Sequence, residues 1–492
     1  MLQLFENAFR LPDKIAVIDS QGSYTYGDLL RKSAAVASYL LNGKTDLHQA
    51  PVAFMVSPGF DYVSVQWGIW RAGGIAVPLC ITYPFPSLLY VVEDTGAQTI
   101  VYGPEYAEIL APFETTERIR MVEISEVPQS ADVDLPEIGL DRGAMILYTS
   151  GTTSLPKGVL TTHANIQSQI STLVQAWEWT ERDHTLCLLP LHHVHGIINV
   201  VSCTLWSGAT VQFLHPFDAV RVFDVFLEGK VNVFMAVPTI YFKLISHVET
   251  LDDTGKKSIS DCLAKFRLMV SGSAALPVSV MEKWQVISGH YLLERYGMTE
   301  IGMAISNPLH GQRRAGYIGM PLPGVDVRIC DENDQETQDQ PGEIQVKGPS
   351  VFKEYWGKPE VTSKSFTADG WFKTGDIAVV EDGYFRILGR DSVDIIKSGG
   401  YKISALEIEE ILRTHPEVKD CAVVGVPDEE WGELVAAAVI ADAGLDVKAL
   451  NVWMREKMPA YKTPRQYRIL SELPRNAMGK VTKNELKTLF QR

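Results

Sequence analysis

The densest group of residues able to do chemistry is Tyr148-Thr149-Ser150-Gly151-Thr152-Thr153-Ser154-Leu155-Pro156-Lys157-Gly158. Residues 145–147 are apolar and predict a strand that leads into this loop. Hydroxyls and free backbone N–H groups donate to phosphate oxygens, glycines let the backbone approach closely, and the lysine adds a point charge. The Gly-Lys-Ser/Thr ending of a Walker loop is absent, so phosphate would be held by another geometry. Other positions carry related chemistry. Glu300 follows Thr299 in a glycine-containing turn, where a hard oxygen ligand suits Mg2+ beside phosphates. Asp376 follows Gly375 and can accept two hydrogen bonds from ribose hydroxyls, although Thr-Gly-Asp also favours a plain turn. Arg390 can donate to the same ribose or pair with Asp391. Lys480 stands after Pro474, Asn476 and Gly479, a turn able to present one side chain.

Alternating strands and helices must position these residues. Residues 52–56, 75–79 and 99–102 predict strands, and 61–71 a helix ending at Gly73-Gly74. The same rhythm returns at 200–213, 231–235 and 267–270. It predicts an α/β fold with parallel strands and helices packed on the sheet faces. Residues 383–390 read as a turn and a last strand, and a boundary is expected near 390. Beyond it, Ser404-Ala405-Leu406-Glu407 spells a capping box opening a helix that runs to His415-Pro416. Strands over 421–426 and 434–440 and a helix over 448–457 complete a small α+β unit. The expected organisation is a large N-terminal body, 1–390, of mixed and parallel sheets, and a small mobile C-terminal domain, 391–492.

Five motifs in one order make a family visible. The 148–158 loop, Tyr296-Gly297-Met298-Thr299-Glu300, Trp371-Phe372-Lys373-Thr374-Gly375-Asp376, Gly389-Arg390 with Lys397-Ser398-Gly399-Gly400, and residues 474–480 span most of the chain. Together they resemble the adenylate-forming (AMP-binding) enzymes: acyl-CoA synthetases, adenylation domains of peptide synthetases and firefly luciferase. The resemblance implies that Thr149, Ser150, Gly151, Thr152, Thr153 and Lys157 bind the phosphates of ATP, and that Ser273, Ala274 and Ala275 line the adenine with Tyr296 and Gly297. It implies that Asp376 and Arg390 hold the ribose and that Thr299 and Glu300 serve catalysis, with Glu300 as the Mg2+ ligand. Lys480 would bridge the substrate carboxylate and the α-phosphate, offsetting the repulsion of two approaching anions. Lys397, Ser398, Gly399 and Gly400 would line the channel for coenzyme A. Two departures stand out: Ser154 occupies a position where the family has glycine, and the segment between Arg390 and Lys397 is one residue longer. Asp391 and Ser392 are therefore both candidate hinge residues.

Arg295 sits directly before the second motif, near the family's acyl pocket. An unpaired buried guanidinium costs several kcal/mol, so a cation there implies an anionic partner, such as the second carboxylate of a diacid. The competing reading is a salt bridge to Glu294 or to another residue outside the pocket. Within the family, residues 294–300, 306–308 and 319–325 are most similar to the malonyl-CoA synthetases. His193 and His195, in Leu191-His192-His193-Val194-His195-Gly196, would line the pocket with Ser271, and Arg313 could assist. Three histidines in four residues lack a carboxylate or cysteine spaced for zinc. The implied activity is acid–thiol ligation: ATP-dependent adenylation of a short dicarboxylate, malonate favoured, then transfer to CoA with release of AMP and pyrophosphate. Three alternatives share the nucleotide motifs: a short- or medium-chain fatty acyl-CoA synthetase, a stand-alone adenylation enzyme loading a carrier protein, and a non-catalytic nucleotide-binding module.

Composition narrows the partners. The 492 residues are 46% hydrophobic and 21% charged, with net charge −15. Disorder and nucleic-acid wrapping are disfavoured, since phosphate neutralisation needs clustered Lys and Arg. Yet residues 455–492 hold 10 Lys and Arg against 3 Asp and Glu, a basic patch around Lys480. The expected partners are therefore small anions: ATP, CoA and a dicarboxylic acid. No run of about 18 uncharged apolar residues predicts a membrane span. Six scattered cysteines, at 80, 187, 203, 262, 330 and 421, predict reduced thiols and, with neither a signal peptide nor a peroxisomal tripeptide in view, a cytoplasmic location.

Overall fold

The computed structural model describes residues 2–114, 118–131, 134–149, 155–337, 340–399, 401–441, 444–475 and 481–490. Within these, four sheets organise a mixed α/β chain. The first has nine strands. Its parallel heart runs Leu293–Met298, Leu268–Ser271, Val233–Ala236, His184–Cys187, Thr210–Phe213 and Ile15–Asp19, and antiparallel strands flank it. The second has seven strands, with Pro51–Met55 and Ile75–Pro78 parallel at its centre and the antiparallel pair Gly143–Thr149 and Lys157–Thr162 toward one edge. Strands such as Ile75–Pro78, Val233–Ala236 and Leu268–Ser271 are buried throughout. That follows from helices covering both faces of a parallel sheet, which leaves no polar alternation to read.

The third sheet is an antiparallel four-strand meander, Asp326–Cys330, Gly342–Lys347, Phe372–Glu381 and Tyr384–Arg390. The fourth is built wholly from residues after 394: Ile395–Ser398, Tyr401–Ser404, Val418–Asp428, Gly432–Ala441 and Gln466–Ile469. Its two apolar clusters are likewise drawn from residues 396–490. A large N-terminal set of sheets and a smaller C-terminal one thus divide the chain. Among the described residues, no helix is long and apolar enough to cross a membrane.

Two local expectations need correction. The 200–213 stretch is mostly helical: His195–Ser202 forms a π-helix and Cys203–Trp206 a turn of α-helix, and only Thr210–Phe213 is strand. Residues 195–205 are buried without exception, and a fully buried apolar run carries no period that separates helix from strand. The capping box at 404–407 is half formed. Ser404 Oγ accepts from Glu407 N–H at 3.2 Å, but the Glu407 carboxylate turns to Lys462 Nζ at 2.8 Å. An ion pair wins over a second backbone cap. The helix runs Ala405–Arg413, ending just before His415-Pro416.

Candidate active site

The phosphate-loop motif is mounted on a β-hairpin. Thr149 closes the strand Gly143–Thr149 and faces Lys157, the first residue of Lys157–Thr162. Ser150, Gly151, Thr152, Thr153 and Ser154 lie outside the described residues. The Lys157 ammonium stands 4.9 Å from the centroid of the Tyr355 ring, whose hydroxyl donates to Glu300 Oε1 at 2.9 Å. Tyr355 reaches this place because Glu354–Tyr355 pairs with the Lys157 strand. Glu300 is 4% exposed and its Oε2 has no hydrogen-bond partner among the described residues. Burial pushes its carboxyl above the usual range, while the Tyr355 hydroxyl pulls the other way. A buried carboxylate oxygen without a donor invites a cation. Among the described residues no cluster of three His, Cys, Asp or Glu could hold a metal alone, so a cation here would need oxygens from the substrate. Thr299 sits in the turn between Leu293–Met298 and Gly302–Ser306, directly before Glu300, and Gly297 lies in the first of these strands.

A second corner is built by the third sheet. Asp376 and Arg390 are register partners across its last hairpin. Arg390 Nε donates to Asp376 Oδ1 at 2.9 Å, and the Tyr296 hydroxyl donates to Asp376 Oδ2 at 2.6 Å. Of the two sequence readings of Arg390, the pairing with Asp391 is not what the fold adopts: Asp391 instead lies 3.6 Å from Lys397 Nζ. Opposed strand positions bring Arg390 to Asp376, whereas Asp391 lies past the end of the strand. With two donors bound, the Asp376 carboxylate still has lone pairs for a ligand's hydroxyls.

The third group lies where Leu268–Ser271 meets Leu293–Met298. Arg295 is 3% exposed and has no ion-pair partner among the described residues. The Glu294 alternative fails because strand neighbours point to opposite faces; Glu294 Oε1 accepts from Leu276 N–H at 3.2 Å on the other side. The Arg295 guanidinium lies against Gly272, where a β-carbon would stand 2.6 Å from Cζ. Its Nη2 donates to Ser273 Oγ at 3.5 Å, and Ser273 Oγ is 3.0 Å from His195 Nδ1. Ser273 holds φ at 71°, a left-handed conformation that non-glycine residues adopt at some cost. Arg295 Nε, His195 Nε2 and Ser271 Oγ are all buried without hydrogen-bond partners among the described residues. Burial lowers Arg295 to about 9, still a cation at neutral pH, and pushes His195 well below its usual range, leaving it neutral. One fixed positive charge, Ser273 Oγ and a neutral imidazole therefore meet at one spot. The half-buried His193 lies against His192, ring centroids 4.1 Å apart and the planes tilted by 53°. Ala274 and Ala275 follow Ser273 on the exposed side of the same loop. Arg313 is not part of this group: it donates to the carbonyls of Pro308, Tyr291 and Leu309 and ties down its own loop.

The last motifs lie in and beside the fourth sheet. Lys397 and Ser398 end the strand Ile395–Ser398, and Gly399 begins its turn; Gly400 lies outside the described residues. Gly399 has φ 56° and packs against Trp431, where a β-carbon would come within 2.8 Å of the indole. Asp391 N–H donates to Gly375 O at 3.0 Å, tying the candidate hinge residue Asp391, with Ser392 next to it, back to the third sheet. Asn476, Ala477, Met478, Gly479 and Lys480 also lie outside the described residues. Arg475, just before them, pairs with Asp420 at 2.6 Å. Tyr355 and Asp394, whose Oδ2 accepts from Arg390 N–H at 3.1 Å, belong to no sequence motif. Each is joined to its site by sheet pairing or a tight turn that no local spacing announces.

The AMP-binding enzyme profile matches residues 4–356, and the AMP-binding enzyme C-terminal domain profile matches 407–480. With three sheets, a C-terminal unit and five motifs in order, the chain belongs to the AMP-binding enzyme family. Within that family it is 45% identical to the mitochondrial malonate–CoA ligase of Bos taurus, covering 98% of this chain and 89% of the relative. Its fold matches ATP-bound MatB from Rhodopseudomonas palustris with a TM-score of 0.91 at 32% identity, covering 100% of this chain and 99% of MatB. A malonyl-CoA ligase in a ternary product complex with methylmalonyl-CoA and AMP matches with a TM-score of 0.69 at 34% identity, covering 94% of this chain and 97% of that one.

Proposed function

We propose that the protein is an ATP-dependent malonate–CoA ligase. The observation that carries the substrate choice is Arg295: a buried cation with no ion-pair partner among the described residues, linked through Ser273 Oγ to the neutral His195. A buried charge persists only if something pairs it, and the distal carboxylate of a short diacid fits a guanidinium fork. Nucleotide and CoA use follow from the family and the motifs.

In the first half-reaction the proximal carboxylate of malonate attacks the α-phosphorus of ATP. A carboxylate oxygen–phosphorus bond forms, the bond to the β-phosphate oxygen breaks, and pyrophosphate leaves. Thr149, Ser150, Gly151, Thr152, Thr153 and Lys157 cradle the phosphates. Asp376 and Arg390 hold the ribose, and Ser273, Ala274, Ala275, Tyr296 and Gly297 border the adenine. Glu300, with its free Oε2 and Thr299 alongside, would hold Mg2+, which when bound neutralises charge on the phosphate oxygens. Lys480 offsets the repulsion between carboxylate and phosphate as they approach. In the second half-reaction the CoA thiol loses its proton and attacks the acyl carbonyl, the acyl–phosphate bond breaks, and AMP leaves. The C-terminal unit, 391–492, turns about Asp391 or Ser392, withdrawing Lys480 and bringing Lys397, Ser398, Gly399 and Gly400 to the CoA channel. Splitting one condensation into two steps through an activated intermediate lowers each barrier. The six free thiols fit a reducing compartment, and we place the enzyme in the cytoplasm, although the bovine relative is named as mitochondrial.

The test is pyrophosphate release with malonate, methylmalonate, succinate, acetate and octanoate, with and without CoA. Malonate should give the highest kcat/KM, and CoA should be required for sustained turnover. Acetate or octanoate equalling malonate would overturn the reading.

A further inference from the structure

Helix Val278–Ser288 begins without a cap of its own: Pro277 stands at its N-cap position and contributes no side-chain hydrogen bond. The missing acceptor comes from the C-terminal unit, where Glu410 Oε2 accepts from Val278 N–H at 3.1 Å. Glu410 is held ready for this. Arg413 Nη1 binds its other oxygen at 3.0 Å, and Arg413 Nη2 binds Glu409 at 3.2 Å. Glu409 in turn meets Lys483 Nζ at 2.7 Å, and Lys483 meets Asp394 at 2.6 Å, all three largely buried. The helix that carries Glu410 is thus pinned by ion pairs inside its own unit. On the other side, Leu276 N–H is taken by Glu294 at 3.2 Å. Two carboxylates, one from the strand of Arg295 and one from the C-terminal unit, therefore grip the three residues that close the Ser273–Ala275 loop.

We infer that Glu410 is a positioning residue for adenylate formation: it caps helix Val278–Ser288 from the C-terminal unit, fixes that unit against the nucleotide loop, and lets go before the thioester forms. This rests on the proposed ligase reading and its rotating C-terminal unit. The two malonyl-ligase comparison structures differ in their match to this chain, with TM-scores of 0.91 for the ATP-bound one and 0.69 for the CoA-product one at similar identity. A cap worth about one charge-assisted hydrogen bond is enough to bias such an equilibrium severalfold.

The experiment compares Glu410→Ala and Glu410→Gln with the wild type in two assays: ATP–pyrophosphate exchange, and thioester formation from supplied acyl-adenylate and CoA. Exchange should fall about tenfold in Glu410→Ala, thioester formation should be unchanged or faster, and Glu410→Gln, which keeps an acceptor oxygen, should recover most of the exchange. Equal losses in both half-reactions, or full exchange in Glu410→Ala, would overturn the inference. Melting temperatures identify a variant that has lost its fold, and Glu410→Gln then carries the comparison. The wild type is assayed first with the acid panel, and the acid it exchanges best is used throughout. A failure of malonate as substrate is thereby separated from a failure of Glu410.

Discussion

The guanidinium of Arg295 lies so close to the backbone of Gly272 that a β-carbon there would stand 2.6 Å from Cζ. The two residues sit on neighbouring parallel strands and the loop that follows, so neither can retreat without moving the sheet. Gly272 is thus the floor on which the buried cation rests. Gly272→Ala should displace Arg295 and raise KM for malonate about tenfold, the scale of overpacking at a tight contact. The same change in an Arg295→Ala background should cost little, because the atoms that meet Gly272, Nε and Cζ, are then gone. A double-mutant cycle on kcat/KM checks this, and additive losses would show that the two residues do not communicate.

Glu294, the strand neighbour of Arg295, points the other way and is completely enclosed. Burial raises its carboxyl to about 8, opposed by the bond from Leu276, helped by the charge of Glu410 and opposed again by the charge of Arg295. A carboxyl raised in the folded state binds its proton more tightly there than in the unfolded chain. Its contribution to stability is therefore full below the ordinary carboxylate range and is lost as pH climbs toward 8. Glu294→Gln keeps an acceptor for Leu276 and cannot ionise. Its melting temperature should exceed the wild type's at pH 8.5, by about 1–2 °C, and match it at pH 5. Calorimetry at both pH values provides the check; a stabilisation independent of pH would contradict the assignment.

Lys480→Ala should abolish malonate-dependent ATP–pyrophosphate exchange and spare thioester formation from supplied acyl-adenylate. The reason is electrostatic: two anions meet only in the first half-reaction. Parallel loss in both would argue against a lysine withdrawn between steps.

The motifs of the candidate site are readable in one dimension, for a physical reason. The strands that carry Thr149 and Lys157, and the turn that carries Thr299 and Glu300, belong to hairpins, where the chemistry of a short segment depends on its own residues. What escaped was decided by the packing of distant segments. Arg390 had a candidate partner next door in Asp391, but hairpin register delivered Asp376 instead. Tyr355 meets Glu300 only because a two-residue strand adds to the sheet edge beside Lys157. Ser404 caps its helix as expected, yet Glu407 was drawn away by Lys462 from a later loop. The π-helix at His195–Ser202 was hidden because every residue in it is buried. Arg295 is legible from its place directly before the second motif; that it avoids an ion pair with Glu294 follows from strand alternation.

The central claim is that Arg295 selects a diacid by pairing with its distal carboxylate, and Arg295→Met tests it most directly. The measurement is kcat/KM for malonate and for acetate on the same folded variant. Malonate should lose at least about 100-fold, corresponding to about 3 kcal/mol for breaking a buried charge pair, while acetate should hold or improve. Unchanged malonate kinetics in a correctly folded Arg295→Met enzyme would remove Arg295 from the pocket and contradict the account.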